Sequence, residues 1–360
     1  MKFAQCLLPV MLCAAASAQA PSGITEVPEP DTKIRATVTN IVAPVLVKDR
    51  AGNIVDGLQP NQFHLFDNGK EQNIQVDETF EPISLVVAIQ CSSRIEAIFN
   101  KQIKPVGSLI QQTITGTQGE AAIIAFDGRL RLMQDFTNDP DKIKVAVDKI
   151  QPGNAQSRMI DAVDRGVYML SKRPRNNRKV ILLISETRDE GSETRLREAL
   201  IDTNLANVMV YSVDITQLAV RLTEKRPDPR PVAMDPTAMN APLGIPNTPT
   251  TMEQNYGMGN RVQFTPLLKE IYTDAKGIFV KDPSTQLAKA TGAQQFYFLK
   301  QRGLEEAVQE ISRQLHSQYM LSYQPTDKEQ GGYHTIEVSI DRSNLIATTR
   351  PGYWIGGGSQ

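Results

Sequence analysis

Sulfur chemistry is scarce in this chain. Its 360 residues hold three cysteines, and Cys6 and Cys13 fall inside an apolar leader, so that Cys91 is the one thiol of the remainder. One thiol closes no internal disulfide, and an exported product of this kind must fold on its core. The three histidines, His64, His316 and His334, lie far apart and never reach zinc-ligand spacing with Cys91. Charge of one sign is missing too: the formal net charge is −1 and the basic residues are dispersed, which excludes the footprint of a nucleic-acid binder. There is no Gly-rich phosphate loop and no G-x-S-x-G elbow. Past the leader no apolar run approaches the ~20 residues that cross a bilayer, so no transmembrane segment is expected.

The leader itself is informative. Lys2 supplies a positive start, residues 7–16 are apolar, and Ala18-Gln19-Ala20 offers small residues for cleavage. Residues 1–20 are therefore expected to be a secretory signal, and the mature chain to be periplasmic or extracellular. Residues 21–33 are a polar, Pro-rich linker.

Three blocks follow. Residues 34–81 read as strand and turn, with Val42, Val45, Leu46 and Val47 before the turn at Asp49–Asn53, and with Asn68-Gly69 after His64-Leu65-Phe66-Asp67 as a hairpin that tolerates positive φ twice. Residues 82–316 alternate apolar strands (Leu85–Ile89, Ala121–Ile124, Val180–Ile184, Val208–Val213) with amphipathic helices. Ile95, Ile98, Phe99, Ile103, Val106, Ile110 and Ile114 predict one helix, kinked near Pro105; Val163, Val167 and Leu170 predict a second, and Leu304, Ala307, Val308, Ile311 and Leu315 a third. Such alternation predicts an α/β class domain, a doubly wound, Rossmann-like sheet. Inside it, residues 223–262 lack periodicity and predict a long loop, and LLKEIYTDAKGIFVKD and QLAKATGAQQFYFLK share a helix-then-strand rhythm. Residues 317–355 return to alternation at Tyr319, Leu321, Tyr323 and at Ile336, Val338, Ile340. Neither terminal block buries enough by itself, so the two are expected to join into one β-sandwich, Ig-like in kind. Tyr319, Tyr323, Tyr333, Tyr353 and Trp354 are expected in its core rather than on a binding face.

The phrases VLVKDRAGNIVDGLQPNQF, LISETRDEGS, YMLSYQP and TTRPGYW resemble the secreted von Willebrand factor A-related family named for Acidobacteria, over residues 34–354. The resemblance implies a von Willebrand factor A (VWA) domain with a metal-ion-dependent adhesion site. In that family a D-x-S-x-S loop after the first strand, a Thr from a second loop and an Asp after a later strand hold Mg²⁺, whose open position takes a carboxylate from a partner. Matched residue by residue, this chain departs from the pattern. Gln90 stands at the first Asp, Ser92 at the first Ser, Arg94 at the second Ser, Ser157 at the Thr and Glu186 at the late Asp.

Charge balance then decides the expectation. Mg²⁺ sheds water reluctantly and relies on carboxylates, of which one is left, and a guanidinium at ~4 Å opposes the ion by roughly several kcal/mol. Arg94 cannot escape by losing its proton. The expected site is therefore a degenerate one without cofactor, with Arg94 either standing in for the ion, toward Glu186 or an acidic residue of a partner, or pointing to solvent. The expected function is a non-enzymatic, adhesion-like module that binds another protein or an envelope component. One alternative keeps a weak Mg²⁺ site ligated by Glu186 and solvent. Another is an enzyme built on Cys91, its thiol acidified by a helix N-terminus. Asp189-Glu190 reads as ordinary exposed charge.

Overall fold

The computed structural model describes residues 40–77, 82–105, 110, 114–116, 118–216, 282–297, 303–326 and 332–355. The expected signal (1–20), the linker (21–33), the loop 223–262 and residues 267–281 of the first helix-then-strand stretch lie outside the described residues. In chain order come β1 (Ile41–Asp49), β2 (Phe63–Asp67), β3 (Lys70–Gln72) and β4 (Ile74–Asp77). The alternating block holds β5 (Ile83–Gln90), β6 (Glu120–Phe126), β7 (Leu130–Thr137), α1 (Pro140–Asp148), α2 (Met159–Ser171) and β8 (Arg178–Ser185). It continues through α3 (Leu196–Leu205), β9 (Val208–Asp214), α4 (Pro283–Ala290), β10 (Gln295–Tyr297) and α5 (Gly303–His316). Last are β11 (Tyr319–Tyr323), β12 (Gly332–Ile340), β13 (Leu345–Thr348) and β14 (Gly352–Ile355).

A strand buried on both faces needs a nearly unbroken apolar run. β5 reads ISLVVAIQ and every residue of it is buried. Leu85, Val87 and Ile89 pack into one layer with Ile95, Phe99 and Ile311, while Val86 and Ala88 pack into the other with Met159, Val163 and Leu200. β5 is thus the middle of a six-stranded sheet of order β10-β9-β8-β5-β6-β7. All neighbours are parallel except β7, which returns antiparallel along β6. The chain leaves β5 toward β6 and comes back across it to β8, so the strand order reverses between β5 and β8. In open α/β sheets the crevice outside the carboxyl ends of the two strands flanking that reversal is the usual ligand position. Ile89 faces Ile184 in the β5–β8 register, which brings Gln90 and the Ser185-Glu186 junction side by side.

Two elements differ from the sequence expectation. β7 is an edge strand whose residues are half-buried or exposed, Leu132 being 49% accessible, and so it carries no apolar run to betray it. The stretch after β5 is no single helix: it winds through a 3-10 turn (Ser93–Ile95), one α turn (Glu96–Ile98) and a π turn (Phe99–Ile103). Ile95, Ile98, Phe99 and Ile103 are still buried. Ile98 and Ile103 are five apart, a spacing that an i→i+5 turn brings onto one face.

Strands from both ends of the chain interleave in two antiparallel sheets, β13-β1-β11-β4 and β14-β12-β2-β3. Their inner faces share one core containing Val45, Leu65, Tyr319, Leu321, Ile336 and Tyr353. The β2–β3 hairpin turns on Asn68 and Gly69, at φ 48° and 78°, the two left-handed positions that a two-residue loop demands. Asp67 lies buried in that core, accepting from Tyr323 Oη at 3.0 Å and Tyr353 Oη at 2.6 Å, with His334 Nδ1 at 3.0 Å. Tyr319, Tyr323 and Tyr353 are therefore core residues as expected, whereas Tyr333 and Trp354 are not: both pack against the α2–α3 side of the central sheet, with Arg197 5.8 Å from the Trp354 ring.

Candidate functional site

Gln90 ends β5 and is completely buried. A carboxamide there has to satisfy both ends, and it does so across the switch point. Its Oε1 accepts from the Glu186 backbone N–H at 2.8 Å, and its Nε2 donates to Glu186 Oε2 at 2.9 Å and to Ser92 Oγ at 2.8 Å. A backbone N–H can face only an acceptor, so the orientation of the amide is fixed. Glu186 is thereby held at main chain and side chain by the same residue.

Arg94, in the 3-10 turn, completes the cluster. Its Nη2 donates to Glu186 Oε2 at 3.1 Å and its Nη1 to Glu190 Oε1 at 3.3 Å. The side chains of Arg94, Glu186 and Glu190 are 35%, 14% and 42% accessible, respectively, so the network runs from the interior to the rim. Gln90, Ser92, Arg94 and Glu186 thus meet in one hydrogen-bonded group. Ser157 joins through the main chain: its N–H donates to the Glu190 carbonyl at 3.3 Å and its own carbonyl accepts from Glu190 N–H at 2.7 Å. The Ser157 hydroxyl and Arg94 Nε are buried and have no hydrogen-bond partner among the described residues.

Three expectations need correction. Arg94 does not point free into solvent, because two carboxylates pin it. Asp189-Glu190 is not idle surface charge. Asp189 Oδ1 accepts from the Ile160 backbone N–H at 3.0 Å, in the first turn of α2, and from Ser192 Oγ at 2.6 Å. Gly191, at φ 99°, permits the reversal between them, and the spacing D-x-G-S (Asp189 to Ser192) was the available sequence signal. Finally, no helix N-terminus acidifies Cys91. The thiol is 1% accessible and donates to the Phe126 carbonyl at 3.3 Å. Burial pushes it up, against the opposing pull of Arg131, whose Nη2 lies 3.0 Å from Sγ.

Asp161 fastens the same loop from below. Burial works to raise its carboxyl, but hydrogen bonds from Thr194, Arg158 and Glu193 outweigh this and hold it below the ordinary value. The Thr194 and Glu193 backbone N–H groups reach it at 2.9 Å and 3.1 Å, and Arg158 Nε at 2.6 Å. A second loop closes the other side. Gly153 N–H donates to the Cys91 carbonyl at 2.8 Å and Ser93 N–H to the Asn154 carbonyl at 3.1 Å, so the 91–94 turn is strapped between two loops.

These residues do not fit a divalent cation of the Mg²⁺ kind. Such an ion needs converging oxygen lone pairs, whereas Glu186 Oε2 already faces two N–H donors, Gln90 Nε2 and Arg94 Nη2. Gln90 turns the nitrogen of its amide, not the oxygen, toward Ser92. Among the described residues no group of three or more His, Cys, Asp or Glu side chains is placed to hold a metal ion. Among them, too, no helix is long and apolar enough to cross a membrane.

No family model and no curated protein matches the chain. Similar solved structures include the vWF domain of the type V pili tip protein Mfa5 from Porphyromonas gingivalis, at 15% identity and TM-score 0.27 over 30% of this chain. The chain spans 38% of the length of that structure. BatB from Bacteroides thetaiotaomicron is similar at 14% identity and TM-score 0.40, over 65% of this chain and 100% of that one. An aerotolerance-related membrane protein from Bacteroides fragilis is similar at 13% identity and TM-score 0.38, over 64% and 98%.

Proposed function

We propose that this chain is an exported, non-enzymatic protein-interaction module of the von Willebrand factor A type, akin to the acidobacterial VWFA-related family, that works without a metal ion. In it an Ig-like sandwich carries the α/β domain, and the strand-end loops carrying Gln90, Ser92, Arg94, Ser157 and Glu186 present the half-exposed Arg94 to an acidic residue of another protein or envelope component. The supporting observation is the Arg94 guanidinium fixed 3.1 Å from Glu186 Oε2 in the switch-point crevice. A guanidinium there offers a permanent positive charge and directed donors to a carboxylate, which is the service an adhesion-site cation gives. Gln90 supports this by latching Glu186, so the charge is preorganised rather than loose.

The test is capture of envelope components on the immobilised mature chain, with and without EDTA, alongside Arg94→Gln. Capture that survives the chelator and is lost in Arg94→Gln is the expected result. Capture abolished by EDTA and indifferent to Arg94 would contradict the proposal and restore a metal.

A further inference from the structure

We infer that Glu190 is an internal plug: it occupies, on Arg94, the place that the partner's carboxylate takes, so that binding is an exchange of one carboxylate for another. The inference rests on the reading that Arg94 receives an acidic side chain.

The two carboxylates on Arg94 are not equivalent. Glu186 is 14% accessible and shares its Oε2 between Arg94 and Gln90, while its main chain is held by Gln90 as well. Removing it would open a buried network at several points. Glu190 is 42% accessible and touches Arg94 through one oxygen at 3.3 Å, beyond the usual N–H···O range. The Glu190 main chain is secured separately, by its two hydrogen bonds to Ser157. Its side chain can therefore swing outward while the loop stays closed.

Glu190 supplies a single oxygen to Arg94, at 3.3 Å, whereas a carboxylate not tethered by the 186–192 loop can approach Nη1 within the usual range, so the exchange trades a poorer contact for a better one. Because Glu190 is tethered, it competes at high effective concentration. Isolated carboxylates then bind weakly, and the partner must present its acidic residue on a surface that adds contacts at the rim.

The experiment uses the mature full chain and a capped tripeptide with a central glutamate, with its glutamine counterpart as control. The reporter is the Arg94 Nε–H resonance, identified by its loss in Arg94→Lys; this proton has no acceptor among the described residues. In the unsubstituted chain the glutamate peptide is expected to shift it saturably and the glutamine peptide not at all. Glu190→Gln and Glu190→Ala, both at a half-exposed position, are expected to tighten that binding by about two- to fivefold, the range of an exposed ion pair. Equal or weaker binding in both variants would overturn the plug while leaving Arg94 as a carboxylate receptor. No shift of the Arg94 signal in any of the proteins would overturn the receptor role and the plug together.

Discussion

Gln90 and Glu186 are joined twice, by a 2.8 Å hydrogen bond from the Glu186 backbone N–H to Gln90 Oε1 and by a 2.9 Å bond from Gln90 Nε2 to Glu186 Oε2. Gln90 ends β5 and Glu186 directly follows the adjacent β8, and the pairing closes the sheet's switch point from inside. An aspartate at position 90 would set two carboxylates face to face, an arrangement that calls for a cation. A glutamine turns the same distance into a bond.

Gln90→Leu keeps the volume and removes all three side-chain hydrogen bonds of a completely buried residue. The Glu186 N–H is then left without its partner in the interior. A loss of about 2–4 kcal/mol is expected, read as a lower denaturant midpoint at unchanged slope.

Gly153→Ala tests the strap across the 91–94 turn. A Cβ on Gly153 would lie 1.5 Å from Asp127 Oδ2, so the completely buried Asp127 must move, losing its bond to Arg129 N–H at 2.8 Å. Overpacking of this kind costs roughly 1–3 kcal/mol. Thermal unfolding should register it, and an unchanged midpoint would show that the loop has room the geometry denies.

Asp164 on α2 carries a pH signature. Burial, together with the charges of Asp202, Asp161 and Glu198, pushes its carboxyl up to about 6 from 3.8. A raised folded value means that the native chain holds this proton more tightly than the unfolded chain. Its contribution is therefore fully present below 3.8 and is lost as the pH rises through about 6. The shift corresponds to ~3 kcal/mol, reduced to about 1–2 kcal/mol for a group still partly open to water. Asp164→Asn should stabilise the chain by that amount at neutral pH and by little near 3.8, as urea titrations at the two conditions would reveal.

Cys91 should resist alkylation. With 1% accessibility and a thiol pushed up by burial, it is expected to react with iodoacetamide only on unfolding, at a rate that tracks global opening. Rapid stoichiometric labelling of the folded chain would speak for a reactive thiol.

Sequence reasoning reached the parts of this fold that local physics dictates. The apolar runs of β5, β8 and β9 announce burial on both faces, and Asn68-Gly69 announces its hairpin through the need for two positive φ values. It missed β7, whose edge position leaves none of its residues fully buried, and the π turn at Phe99–Ile103, which helical periodicity alone does not distinguish from an α turn. At the site, the loop from Gln90 to Arg94 was visible as the polar end of an apolar strand, whereas Ser157 and Glu186 were singled out only by what the family resemblance implies. Glu190 was not legible. Its role depends on Gly191, Asp189 and Ser157 folding the 186–192 loop back over α2, a long-range arrangement that a charged dipeptide does not reveal.

The central claim, that the carboxylates of the crevice are engaged from within and need no ion, is tested most directly by titrating Mg²⁺ calorimetrically into the chain and into its Gln90→Asp, Arg94→Ser double variant. The account predicts no saturable heat from the first and a saturable, EDTA-reversible heat from the second. Saturable Mg²⁺ binding by the unsubstituted chain, lost on Glu186→Gln, would contradict it.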